Sequence, residues 1–403
     1  ELDVLAFASF TSRDANLVSQ DTTDNDDTGS ELFVSSIQKT GLHRTQNEFD
    51  SRSAIKENTL GANLSFKNTA QTLQLGVTFL RNSFDVPLQR TPTTYNQFEF
   101  SGKDNYNAGF NYTYVYQNFN FFGEWAISKS GGMGYNAGLI AVLSPQISFA
   151  FQHRNFDKDF HSFYGSALSE GSRDINEKGF YWGVKIQPNK KIGIAAYYDK
   201  FQFPWLRFRV DAPSEGYEYL LRFSYAFTRK ISAFVQAREE YKQQNDPTNS
   251  SPIDFISPRK RRNYVFNIDY KAEKIIAFRS RIQYSNLQFG ETLTDGVAIM
   301  QDIDITLGKW RLKTRWALFD TDNYDNRQYA YEDDVLYSFS FPAYNGKGYR
   351  QYGILEYKAS KRLSFWLRYA RTRLLDVDSI GSGSTEIQGN TNSELKIQTR
   401  IKF

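Results

Sequence analysis

The side chains with the most capacity for chemistry are few and scattered. Three histidines, His43, His153 and His161, fall in stretches that read as loops or strand rims. None shows the i, i+4 spacing by which two imidazoles on one helix face grip a metal ion. No G-x-S-x-G elbow and no phosphate-cradling glycine loop occurs. A Ser-His-Asp triad is a spatial arrangement, and nothing along the chain singles out a nucleophile. His43, within Gly41-Leu42-His43-Arg44-Thr45, has the most distinctive context, and a hydrogen bond anchoring a loop is its plainer role. The run Asp21-Thr22-Thr23-Asp24-Asn25-Asp26-Asp27 clusters the oxygen ligands that calcium takes. It lacks the glycine and terminal glutamate of an EF-hand, so a solvated polar loop is the simpler reading. Cysteine is absent, which removes thiolate metal sites and disulfides. The expectation is a protein that is not an enzyme, with no catalytic residue, metal site or cofactor.

The charges are more informative. Between residues 264 and 373, alternating strands place Arg279 and Arg281, then Asp302 and Asp304, then Arg311, Lys313 and Arg315 on one face. Asp269 and Glu356 take the same face on the flanking strands. If these strands pair as consecutive neighbours, the face carries basic, acidic, basic and mixed rows in turn. Opposite charges across strands stabilise by roughly 0.2–1 kcal/mol each. Such a ladder stiffens a wall or holds an inward-folded loop; alternatively it selects solutes, as charged rings do in pores. The first role is favoured, because selectivity needs a constriction.

The elements that position this ladder are strands. Leu73, Leu75, Val77 and Phe79 alternate with polar or small residues; so do Trp310, Leu312, Thr314, Trp316 and Leu318, and Leu363, Phe365, Leu367 and Tyr369. The period of two is that of β-structure. Short turns near 67–71, 117–118, 144–146, 188–191, 228–230, 272–274, 308–309 and 359–362 separate long polar connections at 11–58, 84–105, 156–176, 202–216, 242–260, 321–347 and 375–392. Shorter connections lie at 129–134 and 286–295. Eight hairpin turns and two terminal strands, 2–10 and 393–403, make 18 strands; sixteen follow if one weak hairpin lies in a loop.

The last strand is the sharpest case. Leu395, Ile397, Thr399, Ile401 and Phe403 fall on one face, and Glu394, Lys396, Gln398, Arg400 and Lys402 on the other. An apolar face against lipid and a polar face against a wet lumen is the strand pattern of outer-membrane barrels. The terminal Phe403 resembles the C-terminal signature by which bacterial barrels are recognised for assembly. Composition agrees. Aromatics make up 16% of 403 residues, with 26 Tyr and 34 Phe, which suits interfacial girdles. No segment approaches the roughly 18–20 apolar residues of a membrane helix. With 49 basic and 45 acidic residues, the net charge of +4 gives no footprint for nucleic acid. The fold expected is an all-β, transmembrane, antiparallel up-and-down barrel. Its short turns would be periplasmic and its long loops extracellular. It would form one domain, 1–403, in the outer membrane of a Gram-negative bacterium. The strand-like opening at Leu2 suggests a processed or trimmed product, with any upstream periplasmic region outside this chain.

Several short stretches carry a resemblance. They are Phe7-Ala8-Ser9-Phe10-Thr11-Ser12-Arg13-Asp14-Ala15-Asn16, Gly41-Leu42-His43-Arg44-Thr45-Gln46-Asn47-Glu48, Phe122-Gly123-Glu124-Trp125-Ala126, Asn176-Glu177-Lys178-Gly179-Phe180-Tyr181 and Tyr198-Asp199-Lys200-Phe201-Gln202-Phe203-Pro204-Trp205-Leu206. Together the chain resembles the barrel region of Bacteroidota helix-hairpin-helix domain-containing outer-membrane proteins. The resemblance implies location and fold, and carries no activity.

Two functions follow as expectations: a porin-like channel for small polar solutes, or a non-conducting accessory or scaffold barrel of an assembly, secretion or uptake complex. Expected partners are outer-membrane lipid and lipopolysaccharide, and the assembly machinery through the C-terminal strand. Loop aromatics Phe203, Trp205, Phe208, Tyr329, Tyr331 and Tyr344 would offer surfaces to envelope proteins.

Overall fold

The computed structural model describes residues 1–21, 30–249, 254–272 and 275–403. The acidic run Asp21–Asp27, expected as a solvated polar loop, falls almost wholly outside them, as do two residues of the 272–274 turn. Apart from the five-residue helix α1, Gln46–Asp50, and three short 3-10 turns, the described elements are strands. The first half of the chain gives β1 Leu2–Arg13, β2 Ala15–Asp21, β3 Ser30–Ile37, β4 Ile55–Lys67, β5 Leu73–Leu88, β6 Gly102–Tyr116, β7 Phe119–Ser128, β8 Met133–Ser144, β9 Ile147–Phe156, β10 Glu177–Ile186 and β11 Ile192–Phe203. The second half gives β12 Ser214–Ala226, β13 Ile231–Asn245, β14 Ile256–Ala272, β15 Ile276–Phe289, β16 Thr292–Leu307, β17 Trp310–Thr321, β18 Gln328–Tyr329, β19 Ala343–Tyr344, β20 Lys347–Lys358, β21 Leu363–Leu374, β22 Ser379–Ile380, β23 Ile387–Gln388 and β24 Thr391–Ile401. Among the described residues, 20 strands share one sheet, and the pairs β18–β19 and β22–β23 stand apart from it. Long strands joined by short turns pair as antiparallel neighbours, which is up-and-down topology.

Among the described residues, the short turns lie where the alternation breaks. Three, at 117–118, 145–146 and 308–309, are only two residues long, and two of these hold a residue of positive φ, Gln117 at 51° and Gly308 at 59°. That sign of φ matches the twist of the flanking strands. The strands run further than the pattern suggests. β1 extends to Arg13 and β4 begins at Ile55, so the connection 11–58 shortens, and it contains β2, β3 and α1. The connection 286–295 shrinks to Gly290 and Glu291, because Gly290 takes φ 57° and Asn286 bonds Asp295 at 2.8 Å across the ladder.

The chain divides into two compact units. The first comprises Glu1–Val184, Tyr198–Tyr217 and Gln243–Ile256. In it β1, β4, β5, β6, β7, β8 and β9 pair in series. The β2–β3 hairpin joins through a single parallel bridge, Val34 to Leu88. Its apolar anchor is a cluster of Ala15, Val34, Ile55, Phe84 and Leu88 on the long-loop side. Along β4, Glu57 and Thr59 are buried while Leu60, Leu64 and Phe66 on the opposite face are exposed. The N-terminal ammonium bonds Lys67 O at 2.9 Å, beside the first short turn.

The second unit comprises Lys185–Tyr197, Glu218–Lys242 and Ser257–Phe403. There β14, β15, β16, β17, β20, β21 and β24 pair in series. Its sheet is inverted relative to a water-soluble one. On β17, Trp316 and Leu318 are 59% and 62% exposed, while Arg315 between β16 and β20 is 4% exposed. On β21, Arg368 is fully buried between exposed Leu367 and Tyr369. The chain closes as it opened, beside a short turn, with Lys402 N on Arg362 O at 2.9 Å.

Candidate functional site

The charged wall lies on the polar face of the second unit, and its rows are direct neighbours. Asp269 stands opposite Arg279, Arg279 opposite Asp302, and Asp302 opposite Arg315. Arg279 Nε donates to Asp269 Oδ1 at 2.7 Å. Arg315 grips Asp302 with two parallel bonds, 2.5 and 2.7 Å, the fork geometry that makes such pairs strong. Asp304 faces Lys313 but takes Arg311 instead, at 2.9 and 2.6 Å. Arg281 has no carboxylate opposite and donates Nε to Asn267 Oδ1 at 3.1 Å. Glu356 lies across from Arg311 and pairs with Lys358 at 3.4 Å. A cavity of about 340 Å³ opens along this wall, lined by Asp269, Arg279, Asp302, Asp304, Arg311, Lys313 and Asp333.

Asp333 belongs to an element inside the stretch 321–347, which the alternation reads as a connection. Between β17 and β20, β18 and β19 form a hairpin, extended by a bridge from Glu332 to Ser340. This hairpin lies back over the polar face. Glu332, fully buried, accepts Arg350 at 2.7 and 2.9 Å and Arg368 at 3.0 Å. It also takes the Tyr344 hydroxyl at 3.1 Å. Asp333 meets Lys313 at 3.0 Å, and Asp334 meets Lys396 at 2.8 Å and Arg368 at 3.5 Å. The backbone is held too, by Arg315 Nη1 on Tyr331 O at 2.6 Å and Gln398 Nε2 on Leu336 O at 2.9 Å.

Apolar contacts complete the attachment. Ala330 and Tyr344 bury against Ala298, Met300, Ala317 and Phe319, while Val335 at the tip packs with Tyr352, Ile354, Trp366 and Ala370. The reverse face of the hairpin carries exposed rings. Tyr329 and Phe341 stack at 5.3 Å, and Phe339 lies 5.8 Å from Tyr331 and 6.1 Å from Phe341. The signal for this device was present as Glu332-Asp333-Asp334, three acids in a connection beside strands whose polar-face cations, Arg350, Arg368 and Lys396, share a single strand carboxylate, Glu394.

The C-terminal strand divides as its alternation requires. Leu395, Ile397 and Ile401 are strongly exposed, Thr399 sits on the same face, and Glu394, Lys396 and Gln398 serve the polar face. The strand stops at Ile401, and Phe403 lies beyond it in full exposure.

The first unit repeats the design with other residues. Arg154, fully buried, donates Nε to Glu177 at 2.7 Å and forks onto Asp199 at 2.8 and 3.1 Å. Glu177 in turn accepts the backbone amides of Glu170 and Gly171 at 2.8 and 2.9 Å, fixing the 157–176 loop. Only glycine fits at 179, since a Cβ there would stand 2.8 Å from Arg154 Cζ. Glu57 collects Arg13 Nε at 2.7 Å and the Tyr164 hydroxyl.

The histidines are spread apart. His43 bonds Asp14 at 2.8 Å, His161 bonds Phe98 O at 2.8 Å, and His153 lies within β9, 3.1 Å from the Tyr135 hydroxyl. Two of the aromatics expected to face partners are interior. Phe203 and Tyr344 are 2% and 1% exposed, because Arg207 stacks on the first and the hairpin buries the second.

The chain matches no family model and no curated protein. Among solved structures it is similar to in-vitro folded OmpT, an outer membrane protein of Vibrio cholerae, at 13% identity, covering 85% of this chain and 97% of that one with a TM-score of 0.36. It is similar to the outer membrane channel DcaP of Acinetobacter baumannii at 10% identity, covering 92% and 97% with a TM-score of 0.38. With Pseudomonas aeruginosa FpvA bound to a heterologous pyoverdine, identity is 10%, coverage 86% and 56%, and the TM-score 0.49.

Proposed function

We propose that this chain is an integral β-barrel of a bacterial outer membrane, and a porin-like channel for small polar solutes whose bore is narrowed by the hairpin between β17 and β20. The observation that carries the reading is the inverted sheet, with Trp316 and Leu318 exposed and Arg315 and Arg368 buried. Leaving apolar surface in water costs about 25 cal/mol per Å². Lipid against that face removes the cost, and a wet lumen suits the charged one. Setting β2 and β3 aside from the 20-stranded sheet leaves the eighteen strands of the proposed barrel. Short turns would face the periplasm and long connections the exterior. A barrel of this size holds an aqueous channel unless something fills it. The hairpin is the filling element, and its charges are spent on attachment, so the bore is reduced by its width.

The test is conductance in a planar bilayer, for the intact protein and for a variant with residues 328–344 replaced by a short Gly-Ser linker. Small, stable steps that grow in the variant support the channel. Silence from both, with folding verified by resistance to detergent, overturns it and leaves the accessory-barrel reading. That second reading is favoured by one observation, the attachment of the hairpin both at its tip through Val335 and at its base through Tyr344.

A further inference from the structure

We propose that a loop pocket in the first unit, between Phe98, Trp205 and Arg207, binds a small aromatic carboxylate. This inference is independent of whether the barrel conducts. The pocket is a cavity of about 540 Å³ on the long-loop side, formed by the 84–105, 156–176 and 202–216 connections. Its walls are fixed before any ligand arrives. Asn176 and Trp205 exchange hydrogen bonds, Nδ2 to Trp205 O at 2.9 Å and Trp205 N to Oδ1 at 2.8 Å. Asn176 holds φ 54° to do so. The Trp205 indole donates Nε1 to Thr94 O at 3.2 Å.

Charge in the pocket is unbalanced. Its one lining carboxylate, Glu99, is already shared by Arg90 at 3.0 Å and Arg173 at 2.5 Å. Lys158 makes no ion pair among the described residues; its ammonium sits 3.8 Å over the Phe98 ring and 5.1 Å from Trp205. Arg207 stacks 3.4 Å from the Phe203 ring and gives a single side-chain bond, to Ser214 Oγ at 3.3 Å. Its Nε is buried without a partner. Burial pushes the Arg207 guanidinium down to about 10, against the pull of Glu170 and Glu177 nearby, so it remains a cation at neutral pH.

Two cations seated on ring faces call for an anion, because ring quadrupoles attract a cation without neutralising it. The rings specify the rest of the ligand. Phe98 meets Trp205 edge to face at 5.0 Å and 86°, and with Phe203 and Phe208 they make the pocket wall aromatic, a surface against which a flat ring packs favourably. Inorganic anions would satisfy the charge but leave that aromatic wall wet. An apolar neutral molecule would fill the space but leave Lys158 and Arg207 unmatched.

The experiment is isothermal titration of the full chain in nanodiscs with 2-naphthoate, subtracting empty nanodiscs, alongside neutral 2-naphthylmethanol and inorganic phosphate. The expected result is saturable binding of 2-naphthoate, at least tenfold weaker binding of the alcohol, and no competition from phosphate. Lys158→Gln, at an exposed position, and Arg207→Gln each weaken 2-naphthoate at least fivefold, while Arg207→Lys retains most of the affinity. No saturable binding, equal binding of the alcohol, effective competition by phosphate, or indifference to Lys158→Gln overturns the proposal.

Discussion

Arg368 of β21 donates to Glu332 at 3.0 Å across 36 residues of chain, and neither side chain has any exposed surface. The pair is the centre of a cluster in which Arg350, Arg368 and Lys396 meet Glu332, Asp334 and Glu394. Three positive and three negative groups cancel, which is the condition for keeping ions out of water. The cluster also joins three sheet strands to one hairpin, so its loss has both a stability and a functional consequence.

Replacing Glu332 with Gln leaves Arg350 and Arg368 facing a neutral amide. Removing one partner of a buried pair costs about 3–5 kcal/mol. The strands keep their own ladders, so the expected loss is local. The variant should show faster amide exchange confined to 326–344 and larger conductance steps, with the rest of the sheet still protected. Uniform loss of protection would count against the hairpin as a separable element.

Trp316→Arg places a cation on the exposed apolar face, whereas Arg315 beside it is held by Asp302 on the opposite face. At mid-membrane depth such a substitution costs about 2–4 kcal/mol. Urea unfolding in lipid vesicles should move to lower midpoint for Trp316→Arg. An unchanged midpoint would sink the assignment of that face to lipid.

Asp304→Asn removes the acceptor of Arg311, at 2.9 and 2.6 Å, in the cavity along the charged wall. Both side chains are only partly buried, so the structural cost is small. One negative charge is lost from the polar face. The reversal potential under a salt gradient should shift toward anion preference, and an unshifted potential would show that ions do not pass this wall.

Phe403 packs against nothing and lies past the last ladder residue. The role in assembly expected of it would therefore be separable from stability. Deleting it should lower the amount of barrel reaching the outer membrane while leaving the unfolding midpoint of the purified protein unchanged. Equal amounts in the membrane would remove the proposed signal.

Glu48 closes a capping box on α1, accepting Thr45 N at 3.3 Å while Thr45 Oγ1 accepts Glu48 N. Arg44, through its side chain and its amide, lowers the Glu48 carboxyl to about 2. A depressed carboxylate contributes above its ordinary pKa, and the contribution fades as pH falls through the folded value. The Thr45 amide should keep its chemical shift from pH 7 to near 3 and titrate with a midpoint near 2. A midpoint near 4 would mean that Arg44 is not engaged in solution.

The sequence by itself determined the long strands, the short turns between them and their two faces, but not β2, β3 or the β18–β19 hairpin, which lie inside stretches expected as connections. Period-two alternation reports burial directly, and a one-residue slip would bring Arg311, Lys313 and Arg315 of β17 onto the apolar face. Alternation alone therefore puts Asp302 and Arg315, and Arg279 and Asp269, on one face, and the strand pairing makes them neighbours. What the sequence did not determine was the use of that face. Whether Arg368 lines open water or clasps Glu332 depends on where a 25-residue connection folds, and no local periodicity encodes that path. The depth of β1 and β4 beyond their expected ends was likewise decided by the apolar cluster around Val34 and Leu88, brought together across distant segments. Tyr344, by its type a surface aromatic, became interior because the hairpin returned it to Phe319. Alternation is a property of neighbours in sequence, whereas compensation of a buried charge is a property of neighbours in space, and only tertiary structure chooses those.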